Sequence, residues 1–356
     1  MQFYKSQHRY YCGVDLHARQ MYLCVLEAEG QKRLHRNMRN DKAYFLKLIA
    51  PFREDLVVCC ESTFNWYWLA DLCAEEGIEF VLGHALYMRA IHGAKAKNDR
   101  IDSEKIATLL RGGVMPMAYV YPARMRATRD LMRRRTFFVC ARAALQGHIK
   151  LVNAQYNLPS IEEDVRSARC QEAILEQFSF AEDVKASVAA DMDLIVDYQT
   201  VIRRLERKIL DSARGHCSED LDLLLSIKGV GPVIALTILY EIERIERFPR
   251  VQDFVSYARL VKCSHDSAGR PHGSGGAKMG NPYLKWIFSE AVIHVPRHNP
   301  RIAARLERLE QKHGKGKGKI LMAHKLGRAV FFMLKNKTAF DEERFLGMPT
   351  ATQAAA

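Results

Sequence analysis

Hydrophobic positions come first as short β-branched and aromatic runs, and later as apolar residues recurring every three or four positions. Strands near the N-terminus followed by a long helical remainder are therefore predicted. Tyr10 to His17 and Gln20 to Leu26 read as an antiparallel hairpin, with Lys32 to Met38 as a third strand. A helix is predicted from Asp41 to Ala50, with Asp41 as its N-cap, and after Pro51 the run DLVVCCE reads as a buried parallel strand ending at Glu61. A helix over Thr63 to Glu76, a strand over Ile78 to Leu82 and a short helix over His84 to Ile91 follow. The stretch Lys95 to Gly113 then carries Ile101, Ile106, Ala107, Leu109 and Leu110 at helical spacing.

This α/β segment carries acids at telling places. Asp15 lies in the first strand among apolar residues, Glu61 at the end of the fourth, and Asp99 and Asp102 three apart in a first helical turn, roughly 5–6 Å apart at Cβ. A three-strand meander, a helix and a buried parallel strand form the layout of a ribonuclease H-like domain, whose ligands gather beyond the carboxyl ends of the parallel strands. Four carboxylates there repel one another unless cations join them, and two Mg²⁺ ions about 3.5–4 Å apart would clamp both oxygens of a phosphodiester exchange. Each acid also has a plain alternative: first-turn acids complement the helix dipole, Asp15 can be a sheet-edge acid and Glu61 a helix cap.

Composition narrows the partners. The 356 residues hold 48% apolar residues and 54 Lys and Arg against 41 Asp and Glu, a net charge of +13 that suits a phosphate backbone. No apolar run approaches the roughly 20 residues of a membrane span, the N-terminus lacks a signal peptide's apolar segment, and nine scattered cysteines form no CxxC pair. Buried reduced thiols in a cytoplasmic, nucleoid-associated protein are expected.

Beyond residue 120 the Arg-rich run holding Arg126, Arg129, Arg133, Arg134, Arg135 and Arg142 reads as an amphipathic helix with a cationic face for phosphate, whether of DNA or RNA; a solvated helix face is the alternative. Met192, Leu194, Ile195, Tyr198, Val201, Ile202, Leu205 and Ile209 predict a second helix from about Phe180 to Arg214, making a helical hairpin or coiled coil, with a turn from Asn157 to Gln171. In LDLLLSIKGVGPVIALTILYEI, Lys228, Gly229 and Gly231 lie between two apolar helices, as in a helix-hairpin-helix that brings backbone N–H groups to a phosphate; a plain helix turn is the alternative. A Gly- and Ser-rich loop from Ser264 to Asn281 holds Ser264, Ser267 and Ser274 beside Arg270, His272 and Lys278, cations suited to stabilise a pentavalent phosphorus if a serine attacks, although incidental serines in a loop would look the same. Lys315 and Lys317 in HGKGKGKI read as a flexible phosphate-contacting loop, and MPTATQAAA as a disordered tail. The reading is α/β plus all-α, with boundaries at 1–120, 121–220, 221–345 and 346–356.

GVDLH around Asp15, CCESTFNW with Glu61, and KNDRIDSEKIATLL with Asp99 and Asp102 resemble the DEDD motif of the RuvC-like domain in the insertion-sequence transposases that include Piv-type DNA invertases. The family's C-terminal pattern of Leu-Val-Pro, Ser-Gly, a basic stretch and Lys-x-Gly-Asn is similar to Leu260, Val261, Ser267, Gly269, Lys278, Gly280 and Asn281, with Lys262 in place of Pro and Ala268 in place of Gly. The resemblance implies a transposase or site-specific recombinase of an insertion sequence. Ser267, with Ser274 in reserve, would attack DNA to give a phosphoserine intermediate, and Asp15, Glu61, Asp99 and Asp102 would bind Mg²⁺, with Mn²⁺ able to substitute. It also implies dimers to tetramers on DNA with a structured noncoding guide RNA, the acids of one subunit meeting the serine of another. Two rivals remain open: a junction-resolvase-type nuclease in which water attacks, and a noncatalytic nucleic-acid-binding protein.

Overall fold

Side-chain parity decides how the N-terminal strands pack, because residues one apart on a strand face opposite sides of the sheet. The structure, a computed structural model, describes residues 2–91, 98–213, 218–261, 266–267, 270–271 and 279–347. It divides into two compact units, Met1–Arg124 and Met125–Ala356. The first holds β1 (Phe3–Tyr4), β2 (Tyr10–Leu16), β3 (Gln20–Glu27), β4 (Lys32–Arg39), α1 (Lys42–Ile49), β5 (Leu56–Glu61), α2 (Tyr67–Glu75), β6 (Glu79–Gly83), α3 (Ala85–Ile91), α4 (Asp99–Arg111) and β7 (Met115–Pro116). The main sheet runs β4-β3-β2-β5-β6, an antiparallel meander continued by two strands parallel to β2.

One face of that sheet, with Cys12, Val14, Leu16, Leu23, Val58 and Cys60, packs with Phe45 and Ile49 of α1 and Leu69 and Leu72 of α2. On the opposite face Tyr11, Val57, Cys59 and Val81 meet Ile106, Leu109 and Leu110 of α4. Gly13 is where α4 touches β2: a Cβ there would stand 2.2 Å from the Ser103 carbonyl oxygen and 2.4 Å from the Ala107 nitrogen. Only glycine permits that approach, and it sets α4 across the strand that carries Asp15.

Most expected elements lie within a residue or two of their observed bounds. The helix expected from Thr63 begins instead at Tyr67. Before it, Thr63 N donates to Glu61 O, Thr63 Oγ1 donates to Asn65 Oδ1 at 3.1 Å, and Asn65 Nδ2 donates to His17 O, so local hydrogen bonds hold a turn where a helix would start. The β1–β7 pair is too short to show any period in sequence. Cys12, Cys24, Cys59, Cys60 and Cys73 are buried free thiols, as expected, and burial pushes the Cys73 thiol up to about 12. Cys140, by contrast, is exposed.

The second unit is nearly all helical: α5 (Ala123–Gln155, whose first turn spans the boundary), α6 (Ala168–Glu176), α7 (Glu182–Ala213), α8 (Ser218–Leu225), α9 (Pro232–Ile242), α10 (Val251–Tyr257), a hairpin of β8 (Asp266–Ser267) and β9 (Arg270–Pro271), α11 (Pro282–Arg297), α12 (Pro300–His313), α13 (Lys315–Asn336) and α14 (Glu342–Leu346). Helices α5 and α7 run antiparallel: Arg135 bonds Glu206, Arg142 bonds Gln199 and His148 bonds Asp191. Their far end closes over Ile149, Ile174, Phe178, Val188, Met192 and Ile195, with α6 filling part of the stretch expected to be a turn. A larger core around Phe254, Leu284, Phe288, Val292, Leu326 and Val330 unites α8 to α14.

Two expectations of phosphate-binding segments are corrected here. Lys315 and Lys317 lie in the first turns of α13, not in a loop: only Gly314, at φ +83°, separates α12 from α13, and Gly318 packs so tightly on Glu310 that a Cβ would stand 2.8 Å from its backbone nitrogen. The cationic face of α5 is largely turned inward. Arg126 and Arg129 are buried, Arg129 and Arg133 both bind the buried Glu241 of α9, and Arg135 binds Glu206 of α7. A carboxylate buried as Glu241 is must be paired, because an uncompensated buried charge is strongly destabilising, and Arg129 and Arg133 supply that pairing.

Candidate active site

Two strand ends and one helix N-terminus of the first unit meet at the carboxyl end of β2. Asp15 points to the α4 face with Tyr11 and Gly13 by strand parity. The β2–β5 register pairs Val14 with Cys60, so Asp15 and Glu61 are the next residues along two parallel strands, and Glu61 shares the parity of Val57 and Cys59 on that same face. Asp99 and Asp102 come in the first turn of α4, where Asn98 caps the helix by accepting from Arg100 N. The approach of α4 at Gly13 delivers them to the strand end.

A histidine just past the end of β2 completes the cluster. His17 Nε2 lies 3.3 Å from Asp15 Oδ2 and 3.4 Å from Asp99 Oδ1. Among the described residues, Asp15, His17 and Asp99 form the one group whose ligand atoms all lie within 4.8 Å of one another. Its signal in sequence was spacing alone: His17 follows Asp15 by two, just past the last residue of β2. Glu61 and Asp102 border this group without joining it, and Asp102 Oδ1 accepts from Lys105 Nζ at 3.2 Å.

Electrostatics mark the place as one that favours an added cation. Burial pushes the Asp15 carboxyl up; His17 pulls it back, while the charges of Asp99 and Asp102 push it up again. Carboxylate oxygens with one imidazole nitrogen, half-exposed at His17 and Asp99, are a donor set that fits a divalent metal ion. Asp15, Glu61, Asp99 and Asp102 are thus brought to one end of one sheet face.

The remaining expected residues belong to the second unit. Ser267 sits in β8, its backbone paired with Arg270 of β9. Ser264, Ser274, His272 and Lys278 lie outside the described residues, as do Ala268 and Gly269. Asn281, which closes the Lys-x-Gly-Asn pattern, is the N-cap of α11 and donates from Nδ2 to Glu241 Oε2 at 2.7 Å. Burial would raise the Glu241 carboxyl, but hydrogen bonding from Arg133, the charges of Arg129 and Arg133 and the bond from Asn281 hold it below the usual range. Lys228 is exposed in the turn between α8 and α9. Gly229, at φ +95°, faces α11, where a Cβ would stand 2.8 Å from the His294 carbonyl oxygen, so its lack of a side chain serves helix packing; Gly231, the N-cap of α9, faces open space. Arg134 is exposed, its guanidinium 4.5 Å over the Phe137 ring, and Lys315 and Lys317 are exposed on α13.

Comparison with known proteins gives matches to both halves of the chain. A transposase model, the DEDD type of IS110 elements, matches residues 12–156, and the model described as "Transposase IS116/IS110/IS902 family" matches residues 221–307. The chain is 25% identical over 276 residues to a "Probable family 20 transposase" of Pseudomonas aeruginosa, covering 73% of this chain and 80% of that one. It is 21% identical over 336 residues to the "Transposase for insertion sequence element IS1111A" of Coxiella burnetii, covering 92% and 90%. The sheet is accordingly that of an RNase H-like DEDD domain, and the chain belongs to the IS110/IS116 family of insertion-sequence transposases, enzymes that cut and rejoin DNA.

Proposed function

We propose that this transposase exchanges DNA strands through Ser267, with Asp15, Glu61, Asp99 and Asp102 as the residues that hold divalent cations, Mg²⁺ in two positions with Mn²⁺ able to substitute. The observation that carries the reading is the convergence of Asp15 and Asp99 at one strand end, with Glu61 one strand over on the same face. Bound there, the cations would supply Lewis-acid stabilisation of the phosphoryl charge. The serine hydroxyl gives up its proton, its oxygen bonds to phosphorus, and the bond from phosphorus to the leaving deoxyribose oxygen breaks as that oxygen takes up a proton. One phosphoester replaces another, so rejoining needs no external energy source.

The fit of the rest is consistent. Arg134, Lys228, Lys315 and Lys317 are exposed cations suited to phosphate, as are Arg270 and Lys278 by sequence, and the α8–α9 turn with Gly231 is suited to a helix-hairpin-helix contact. Arg126, Arg129, Arg133 and Arg135 instead support α5 from within. Assembly into dimers or tetramers on DNA with a structured noncoding guide RNA is the finer part of this proposal, supported by the family resemblance and the +13 charge.

The test is to incubate the protein with RNA, DNA carrying the element ends and Mg²⁺, and to look for a protein–DNA adduct that survives denaturation. The adduct is expected from the unaltered chain and absent from Ser267→Ala, which should still bind DNA. Free cleaved ends formed equally by Ser267→Ala would establish water as the nucleophile and overturn the proposal. An adduct retained in Ser267→Ala but lost in Ser274→Ala would move the role to Ser274.

A further inference from the structure

His17 stands at the acidic site without being accounted for by the carboxylate motif. Its ring nitrogen faces two carboxylates at once, Asp15 at 3.3 Å and Asp99 at 3.4 Å, in the one tight cluster of ligand atoms among the described residues. A surface histidine pairing by chance with one acid would not need its backbone fixed, but that of His17 is. Its N–H donates to Gln20 O at 2.9 Å, and its carbonyl oxygen accepts from Asn40 Nδ2 at 2.8 Å and from Asn65 Nδ2 at 2.6 Å.

These two amides come from different loops. Asn40 follows β4, and Asn65 stands in the turn after Glu61, itself braced by Thr63 Oγ1. The clamp therefore ties the strand ends that carry Asp15 and Glu61 to the residue that bridges Asp15 and Asp99. Holding a ligand's backbone from two sides is how a fold fixes a donor before an ion arrives.

We propose that His17 is a metal ligand of this site, contributing its Nε2 beside Asp15 and Asp99, and that the site consequently binds a first-row transition ion such as Mn²⁺ more tightly than the Mg²⁺ it also accepts. Mg²⁺ is hard and is held by oxygen, whereas first-row transition ions accept imidazole, Mn²⁺ least among them and the later ions increasingly. A histidine in an otherwise carboxylate set thus shifts the preference in one direction. The inference rests on the reading of Asp15 and Asp99 as metal-binding residues, and the experiment separates the two.

The full-length protein is stripped with chelator and titrated with Mn²⁺ and, in competition, with Mg²⁺, and the bound Mn²⁺ is examined by pulsed electron paramagnetic resonance. The expected result is a directly coordinated ¹⁴N signal in the unaltered protein. His17→Gln, a half-exposed position where folding can be verified by circular dichroism, should abolish that signal and weaken Mn²⁺ binding by at least about tenfold, the loss that removing even a group behind a ligand brings. Mg²⁺ affinity should fall by a smaller factor. Bound Mn²⁺ that shows no coordinated nitrogen, yet is weakened by Asp99→Asn, would overturn the role of His17 and leave the acidic site standing. Mn²⁺ binding that is absent, or indifferent to both Asp15→Asn and Asp99→Asn, would overturn the acidic site and this inference together. The spectrum of the unaltered protein decides the ligand question even if a variant fails to fold.

Discussion

Single residues at the strand end carry charges that the fold alone does not neutralise. Because Asp15 titrates above the ordinary carboxyl value of about 3.9, the folded state binds its proton more tightly than the unfolded chain does. Stability from this group falls as pH rises through that window, and the penalty persists at neutral pH. In chelator, Asp15→Asn should therefore raise the melting temperature at neutral pH, and the gain should vanish once pH falls below the ordinary carboxyl range; scanning calorimetry across pH checks both. Added Mg²⁺ or Mn²⁺ should stabilise the unaltered protein by mass action, about 2.7 kcal/mol at a hundredfold excess over Kd, and should stabilise Asp99→Asn less. Equal shifts in the two proteins would remove Asp99 from the metal site. At this scale the acids were legible because their neighbours in sequence dictate strand parity and helix phase. The role of His17 was not, since a histidine at the end of a strand gains its meaning from Asp99, which arrives from a later helix.

Elements meet here through backbone approaches that only missing side chains allow. Gly13→Ala would force a methyl group into the Ser103 carbonyl and the Ala107 nitrogen, so α4 must shift. We expect a loss of about 1–3 kcal/mol in urea unfolding, together with a loss of metal affinity larger than that of a destabilised variant elsewhere in the sheet. The pairing of α5 with α9 depends on a buried charge cluster instead. Glu241→Ala would take the carboxylate from buried Arg129 and partly buried Arg133 and should cost about 3–5 kcal/mol. It would also remove the Glu241 bond of Asn281, the residue that caps α11 just after the serine-bearing segment. The arginines of α5 were read from sequence as a phosphate face because helical spacing reports only local neighbours. Their partner Glu241 is 112 residues from Arg129 in the chain, beyond the reach of any periodicity.

At the scale of the whole molecule, the +13 charge is what a DNA partner meets first. Exposed Lys315 and Lys317 on α13 should each contribute about 0.9 to the slope of log affinity against log salt if each contacts a phosphate. The double variant Lys315→Ala, Lys317→Ala should thus flatten that slope in a fluorescence-anisotropy titration, whereas Arg135→Gln, whose guanidinium is held by Glu206, should leave it nearly unchanged. An unchanged slope in the lysine pair would remove α13 from the DNA surface.

Local pattern alone determined the order of elements from β2 to α4, the face on which Asp15 lies, the position of Asp99 and Asp102 in a first helical turn, and the basic charge. Each follows from backbone periodicity or from composition, which neighbours in the chain carry. Tertiary structure decided the rest: the glycine contact that brings α4 to β2, the bridging place of His17, the inward turn of the α5 arginines and the helical form of the Gly-Lys repeat. Those depend on which distant groups come within a few ångströms, and neither spacing nor composition encodes such an encounter.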